Sequence, residues 1–255
     1  MSEAVLVERH GSVALVAMNL PARRNAIGKE LGEALSRVLS ALQDEPELRA
    51  IVLSGGKQFC SGGELGGLEM SPLPMRAAMQ LGHRAVRTLV SGRLPTIAAV
   101  EGNAFGAGFS LAMACDFVVA DSKTTFCAAF GKVGLTPDYG LMWSLPQRVG
   151  MGLAREILLF CEPIPGPQAK EMGIADRLAP DGAVLQASLT LAQRLAQVPV
   201  GTVSTVKAAL SRWPMSVDAM LAWEADTQAL LVQTEDFSEG VQAFLGKRAP
   251  NFRGK

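Results

Sequence analysis

The chain has 255 residues, 49% of them hydrophobic, and its 24 lysines and arginines balance 24 aspartates and glutamates. This length and composition can bury a large core, either as one domain or as a core with an appended module. A formal charge of zero without a basic stripe argues against a nucleic-acid-binding protein, because such a protein needs a positive field toward phosphates.

Neither end of the chain nor its interior indicates a membrane or metal protein. The N-terminus lacks a basic segment followed by an apolar run, and no apolar stretch is long enough to cross a bilayer, so we expect a cytoplasmic protein that binds no membrane. The cysteines show no CxxC spacing and no nearby histidine, which predicts neither a metal site nor a disulfide framework. We expect Cys60, Cys115, Cys127 and Cys161 to be small buried side chains.

The first part of the chain predicts a strand, a helix and a second strand. Residues 13–18 form an apolar run typical of a buried strand. Apolar residues recur at intervals of three and four over residues 31–42, which predicts a helix with one apolar face. Residues 50–54 predict another buried strand, and a glycine-rich turn at residues 59–63 follows it.

The same order recurs farther along the chain. Residues 74–92 have helical periodicity, residues 95–100 predict a third strand, and a second glycine-rich turn occupies residues 102–108. A further apolar run at residues 117–120 continues the pattern. Repetition of strand, turn and helix predicts an α/β fold in which helices connect parallel strands.

The last quarter of the chain is helical in pattern, with interruptions at residues 198–201 and 213–214. We therefore expect a core over residues 1–198 and a helical module over residues 199–255. This module has too many apolar residues for a free-standing tail, and we expect them to cover the core or another subunit. They are Leu221, Trp223, Leu230, Leu231, Val232, Phe237, Val241, Phe244 and Leu245.

The two glycine-rich turns and one acidic residue predict the chemistry. Backbone N–H groups at such turns can hold developing negative charge without a cationic side chain. Asp138 follows them in residues 134–140, GLTPDYG. The sequence thus predicts an oxyanion hole served by one carboxylate.

These motifs, in their order and spacing, resemble the crotonase superfamily, also called the enoyl-CoA hydratase/isomerase family. The resemblance extends nearly from end to end and rests on residues 21–27 (PARRNAI), 58–65 (QFCSGGEL), 101–108 (EGNAFGAG), 114–116 (ACD) and 239–250 (EGVQAFLGKRAP). It implies a spiral of ββα turns with two stacked sheets, a helical C-terminal module and an acyl-CoA thioester substrate. It also implies a homotrimer or a homohexamer built from two trimers, with no metal and no cofactor besides the coenzyme A of the substrate.

The resemblance also places candidate binding residues. By position, the two N–H groups that hold the thioester oxygen fall on Ser61 and Ala107. Arg24 and Lys247 are candidate partners of the coenzyme A phosphates, with exposed surface charge as an equal alternative. We count Ser61 with them among the residues expected to bind coenzyme A. Residues 70–75 are a candidate wall of the acyl pocket, with loop packing as an equal alternative.

Both catalytic glutamates of the family's hydratases are absent, because Ser110 and Phe130 stand at their positions. Hydration ordinarily needs one group to activate water and another to manage the proton. Asp138 instead lies in the loop where ring-1,2-epoxyphenylacetyl-CoA isomerases and some enoyl-CoA isomerases carry their acid. A 1,3-proton shift needs one base, so we expect an isomerase that moves a double bond, or rearranges a ring-derived acyl-CoA, through a thioester enolate.

Several alternatives to this prediction stay open. The chain could be a hydratase, a dehalogenase in which Asp138 is the nucleophile, or an inactive subunit that binds CoA esters. Asp138 could instead serve a turn or cap the helix that begins near Gly140. If it is catalytic, we expect an apolar wall of Phe130, Leu135 and Trp143 to raise its pKa.

Overall fold

The structure, a computed structural model, describes residues 3–67 and 71–254. Its strands are β1 (Val5–His10), β2 (Val13–Met18), β3 (Ala50–Ser54), β4 (Thr96–Ala99), β5 (Asn103–Phe105), β6 (Phe117–Ala120), β7 (Thr125–Cys127), β8 (Ile164–Pro165) and β9 (Arg177–Leu178). Its α-helices are α1 (Lys29–Gln43), α2 (Pro72–Ser91), α3 (Ala107–Ala114), α4 (Leu141–Val149), α5 (Met151–Phe160), α6 (Gly166–Met172), α7 (Val184–Leu195), α8 (Val200–Leu210), α9 (Val217–Leu231) and α10 (Glu235–Leu245). Within the described ranges, no helix is both long and apolar enough to cross a membrane.

The larger sheet has six strands in the order β1-β2-β3-β4-β6-β9. β1 pairs with β2 as an antiparallel hairpin, and the other neighbours are parallel. The four strands predicted from apolar runs are β2, β3, β4 and β6, so the parallel core of the sheet is confirmed. The strands of two or three residues were not predicted, because segments that short carry no readable alternation.

Both faces of the larger sheet are buried, which explains why its strands are continuous apolar runs. Along β3, Ile51 and Leu53 join one apolar cluster with residues of α1, α2 and α3. Val52, pointing the other way, joins a second cluster with Leu189 of α7. The four cysteines are free and buried, as predicted.

The smaller sheet has three strands in the order β5-β7-β8. An isolated parallel bridge between Cys60 and Ala104 brings the first glycine-rich turn to β5. The chain therefore passes repeatedly from a strand of the larger sheet, through extended residues at the smaller sheet, into a helix. This confirms the predicted ββα spiral with two stacked sheets.

A buried lysine attaches the C-terminal helices to the core. The Nζ of Lys207, on α8, donates to the carbonyl oxygens of Leu89 and Leu94, both at 2.9 Å, and to Asp116 Oδ2 at 2.5 Å. Asp116 Oδ2 also accepts from the N–H of Thr96 at 2.7 Å. The break between α7 and α8 falls near the predicted boundary, but the division into 1–198 and 199–255 stays a prediction.

We expect Lys207→Ala to lower the free energy of unfolding by about 3–5 kcal/mol, because it leaves the Asp116 carboxylate without its buried cation. Urea unfolding of the variant and the wild type measures this difference. Lys170→Ala, which removes an exposed lysine from α6, is the matched control and should stay within about 0.5 kcal/mol of the wild type. Equal losses in the two variants would contradict a specific role for the buried contact.

Candidate active site

The two glycine-rich turns lie side by side. The Cys60 N–H donates to the carbonyl oxygen of Asn103 at 2.9 Å, and the Phe105 N–H donates to that of Cys60 at 3.0 Å. Gly62 and Gly106 continue the two turns with φ angles of +106° and +49°, in the left-handed region that side chains disfavour. The two turns therefore contact each other through backbone atoms. The second turn ends directly before α3 begins.

The side chain of Asn25 holds the first glycine-rich turn in place through hydrogen bonds to its backbone. It is 1% exposed, and its side-chain amide donates to the carbonyl oxygens of Gly55 at 3.0 Å and Gln58 at 2.7 Å. Its Oδ1 accepts from the N–H of Leu20 at 2.8 Å. One buried amide therefore ties the loop before α1 to the turn after β3, which gives the PARRNAI segment a structural role.

The prediction that Ser61 holds the thioester oxygen is not supported. The Ser61 N–H already donates to the carbonyl oxygen of Arg24 at 3.0 Å, so it is not free to receive a ligand. The Ser61 side chain still lies at the site, because the residue lines the cavity described below.

The free N–H group in this turn belongs to Gly63. A parallel bridge joins Gly63 to Ile27. The Ile27 N–H donates to the carbonyl oxygen of Gly62 at 2.7 Å, and the Glu64 N–H donates to the carbonyl oxygen of Ile27 at 3.1 Å. This pairing leaves the Gly63 N–H without a partner in the described part of the chain. No local sequence pattern shows that the N–H of Gly63, rather than that of Ser61, is free. The turn pairs with residues about 35 positions away in the chain, and such long-range pairing leaves no local signal.

The second free N–H group belongs to Ala107, the first residue of α3. The first N–H groups of a helix have no partner within it, and the helix dipole adds positive potential there. The Ala107 N–H is therefore placed at the start of α3, where it can donate to an anionic oxygen, and its role in binding the thioester stays a prediction.

Gly63 and Ala107 both line a cavity of about 140 Å³, which we call the inner cavity. Phe130, Leu135 and Asp138 also line it. Among its described lining residues, Asp138 carries the only carboxylate. The three parts predicted from sequence, two turns and one acid, thus meet in one place.

Asp138 is poorly solvated. Its Oδ1 is buried and accepts no hydrogen bond within the described chain. Burial raises the pKa of Asp138 from its ordinary 3.8 to about 6, while a hydrogen bond from its own N–H lowers it in part. A carboxyl group with such a pKa can both take and return a proton near neutral pH.

The side chain of Asp138 does not cap α4. The helix has Gly140 as its N-cap without a side-chain cap, and the Leu141 N–H donates to the backbone carbonyl of Asp138 at 3.0 Å. Tyr139 and Gly140 both have left-handed backbones, with φ of +48° and +79°. The turn is held through its backbone, which leaves the Asp138 carboxylate for another role.

Two of the three residues of the predicted buried apolar wall lie at the cavity, although Leu135 is 45% exposed. Phe130 and Leu135 line the inner cavity, but Trp143 does not. Trp143 is 41% exposed and lines a separate groove that includes Asp116 and Lys207. Because α4 begins at Leu141, the side chain of Trp143 projects from the helix surface, and Tyr139 contributes the aromatic ring instead.

The two positions of the hydratase glutamates hold no acid. Ser110 is fully buried, and its Oγ donates to the carbonyl oxygen of Gly106 at 3.2 Å, within α3. Phe130 is 6% exposed and forms part of the cavity wall. Neither side chain can transfer a proton to a substrate.

Comparison with known proteins assigns the family. The model of the enoyl-CoA hydratase/isomerase family matches residues 8–255. The chain belongs to this family. It is 37% identical to a protein named probable enoyl-CoA hydratase from Rhodobacter capsulatus, over 95% of both chains, and 32% identical to the 1,2-epoxyphenylacetyl-CoA isomerase of Escherichia coli, over the full length of both. A solved structure titled putative enoyl-CoA hydratase, from Streptomyces coelicolor, superposes with a TM-score of 0.93 at 35% identity, over 99% of this chain and 94% of the other.

A second cavity of about 520 Å³, which we call the outer cavity, lies between α1 and α2 in this enoyl-CoA hydratase/isomerase family member. Its walls include Gly32, Met79 and Gly82, together with the exposed Lys29. Of the candidate acyl-pocket wall at residues 70–75, Pro74 and Met75 line this cavity, whereas Met70 lies outside the described residues. Tyr139 lines both cavities, a role that no sequence pattern indicated.

The two cations predicted to bind coenzyme A lie in different places. Arg24 is exposed, and its carbonyl oxygen accepts the hydrogen bond from the Ser61 N–H, which places it next to the inner cavity. Its guanidinium forms no ion pair within the described ranges. Lys247 is exposed beyond α10 and lines neither cavity. The structure therefore brings Arg24 and Ser61 together but does not bring Lys247 to them.

Because burial raises the pKa of Asp138 to about 6, the ionised side chain destabilises the folded state above that pH. This destabilisation disappears as the pH falls from about 6 toward 4. We expect Asp138→Asn to raise the free energy of unfolding at pH 8 by at most about 3 kcal/mol, with a smaller gain at pH 4.5.

Urea unfolding at both pH values measures this difference. Asp226→Asn, which removes an exposed aspartate from α9, is the control and should change stability by less than about 0.5 kcal/mol at either pH. A gain for Asp138→Asn that is the same at both pH values would show that its carboxyl group is not desolvated.

Proposed function

We propose that this protein is an acyl-CoA isomerase with Asp138 as its single acid/base. The observation that carries the proposal is the isolated carboxylate: among the described residues of the inner cavity, Asp138 carries the only one. Ser110 and Phe130 replace the two groups that hydration would use. A 1,3-proton shift needs one base, and one base lines the cavity.

The proposed mechanism begins with the thioester oxygen bound by the N–H groups of Gly63 and Ala107. These two donors and the positive end of α3 stabilise negative charge on that oxygen. The Asp138 carboxylate removes a proton from carbon, and the electrons of the broken C–H bond pass into a dienolate. The protonated Asp138 then returns the proton to another carbon of the same dienolate, which restores the thioester carbonyl and leaves the double bond displaced.

The names of the relatives support two reactions. The Escherichia coli relative is named 1,2-epoxyphenylacetyl-CoA isomerase, which agrees with a rearrangement of a ring-derived acyl group. The Rhodobacter capsulatus relative is named probable enoyl-CoA hydratase, which makes hydration the second candidate. Hydration here would require Asp138 to activate water without a partner acid, which is why we place it second.

We also propose a homotrimer or a dimer of trimers, located in the cytoplasm. Apolar side chains of the helical module support self-association, since Phe244 is 84% exposed and lies with Phe237, Val241 and Leu245 along a cavity of about 570 Å³. Arg24 is our proposed partner for a coenzyme A phosphate, and the substrate's coenzyme A is the only cofactor the proposal requires.

We expect Asp138→Asn to lower kcat by about 10²–10⁴-fold while the enzyme still binds saturated acyl-CoA esters, because the amide cannot accept the proton. The measurement uses a panel of trans-2-, cis-3-, trans-3- and ring-containing acyl-CoAs, with products identified by mass and retention time. In the wild type, kcat/KM should rise with pH through about 6 as the base ionises.

Asp226→Asn serves as the control for loss of one negative charge, and its kcat should match the wild type. A mass gain of one water in the product would favour the hydratase, and a halide released from a haloaryl-CoA would favour Asp138 as a nucleophile. Full activity of Asp138→Asn would contradict the proposed acid/base role.

A proline at residue 107 tests the oxyanion hole, because proline removes the N–H and is tolerated at the first position of a helix. We expect Ala107→Pro to lower kcat/KM by about 10²–10³-fold. Ala107→Gly keeps the N–H and should lose far less activity. If both variants unfold at the same urea concentration and turn over substrate equally, the Ala107 N–H does not hold the thioester oxygen.

A further inference from the structure

Three side chains stand at the boundary between the inner and outer cavities. Ile27, Met79 and Tyr139 line both of them. Tyr139 directly follows Asp138, so this wall stands next to the carboxylate.

Tyr139 is held firmly in this wall. It is 6% exposed, and its backbone has the left-handed φ of +48° described above. Its ring lies against the backbone of Gly82 on α2, where an added Cβ would collide with the hydroxyl oxygen and ring carbons. The hydroxyl also approaches Gly32 on α1, where an added Cβ would lie 3.8 Å from it. The ring therefore fits between two helices at glycines and cannot easily turn aside.

The two cavities differ in what they can hold. The inner cavity, at about 140 Å³, is smaller than the usual small-molecule pocket. The outer cavity, at about 520 Å³, is within the size range of small-molecule pockets. A short acyl group fits beside Asp138, whereas a longer one could be accommodated only if the outer cavity were joined to the inner one.

We propose that Tyr139, supported by Met79, is a specificity-determining residue that limits the enzyme to acyl-CoA thioesters with short acyl groups. The inference rests on the proposed function, because it assumes that the acyl group enters the inner cavity next to Asp138. Smaller side chains in the wall join the two cavities and admit longer acyl groups.

The test compares short and long acyl groups in two variants of the wall. Tyr139→Leu removes the ring, and Met79→Ala shortens a partly buried side chain of α2. For each protein, kcat/KM is measured with butenoyl-CoA and decenoyl-CoA, and calorimetry gives Kd for saturated butyryl-CoA and decanoyl-CoA. Trp143→Ala is the matched control, since it removes an aromatic ring that lines neither cavity.

We expect the wild type to prefer butenoyl-CoA by at least about tenfold in kcat/KM, and each wall variant to raise the decenoyl-to-butenoyl ratio by about tenfold or more. The Kd ratio of the saturated esters should move in the same direction, and Trp143→Ala should keep both ratios. If Tyr139→Leu does not fold, Met79→Ala decides the test, because it retains the seated ring.

A wild type that prefers decenoyl-CoA, or wall variants with unchanged ratios, would overturn the proposal. Failure of the proposed function would look different. In that case no enoyl-CoA would be isomerised by any of the proteins, yet the Kd ratio of the saturated esters would still shift in the wall variants. Isomerisation with unchanged ratios would support the proposed function and contradict the role of Tyr139 and Met79 in specificity.

Discussion

The site depends on one backbone pairing, the two hydrogen bonds that join Cys60 to β5. They hold the turn after β3 against the turn before α3, although more than 40 residues separate the two in the chain. Without this pairing, the free N–H groups of Gly63 and Ala107 would belong to unrelated loops. Asn25 reinforces it by satisfying carbonyl groups of the first turn that would otherwise be buried without partners.

Desolvation is the second constraint, and it acts on a carboxylate whose Oδ1 accepts no hydrogen bond from the described residues. The buried Oδ1 of Asp138 costs stability, because an ionised carboxylate with one oxygen left without a hydrogen bond is unfavourable in an apolar wall. The same environment raises its pKa to about 6 and thereby makes it a more effective proton carrier. Burial of Asp138 therefore both lowers the stability of the fold and improves the carboxyl group as an acid/base.

The sequence was sufficient for the fold and for the two turns and the acid of the site, but not for every residue that lines the site. Continuous apolar runs identified β2, β3, β4 and β6, since a sheet buried on both faces leaves no other pattern. The choice between Ser61 and Gly63 depends on a pairing with the loop at Arg24 and Ile27, and long-range pairing is invisible to local patterns. Trp143 was misplaced for a similar reason, because the start of α4 decides which way its ring projects.

The side chains that line the inner cavity also bear on the choice between isomerisation and hydration. Hydration requires a water molecule held between a base and the β-carbon, together with a second group for the α-proton. Phe130 fills one position from which an acid would hold that water, and Asp138 carries the only carboxylate among the described residues of the cavity. In the proposed reaction, a proton that moves between two carbons of one bound molecule needs only the Asp138 carboxylate. The apolar wall and the single acid thus both support the proposed proton shift within the substrate.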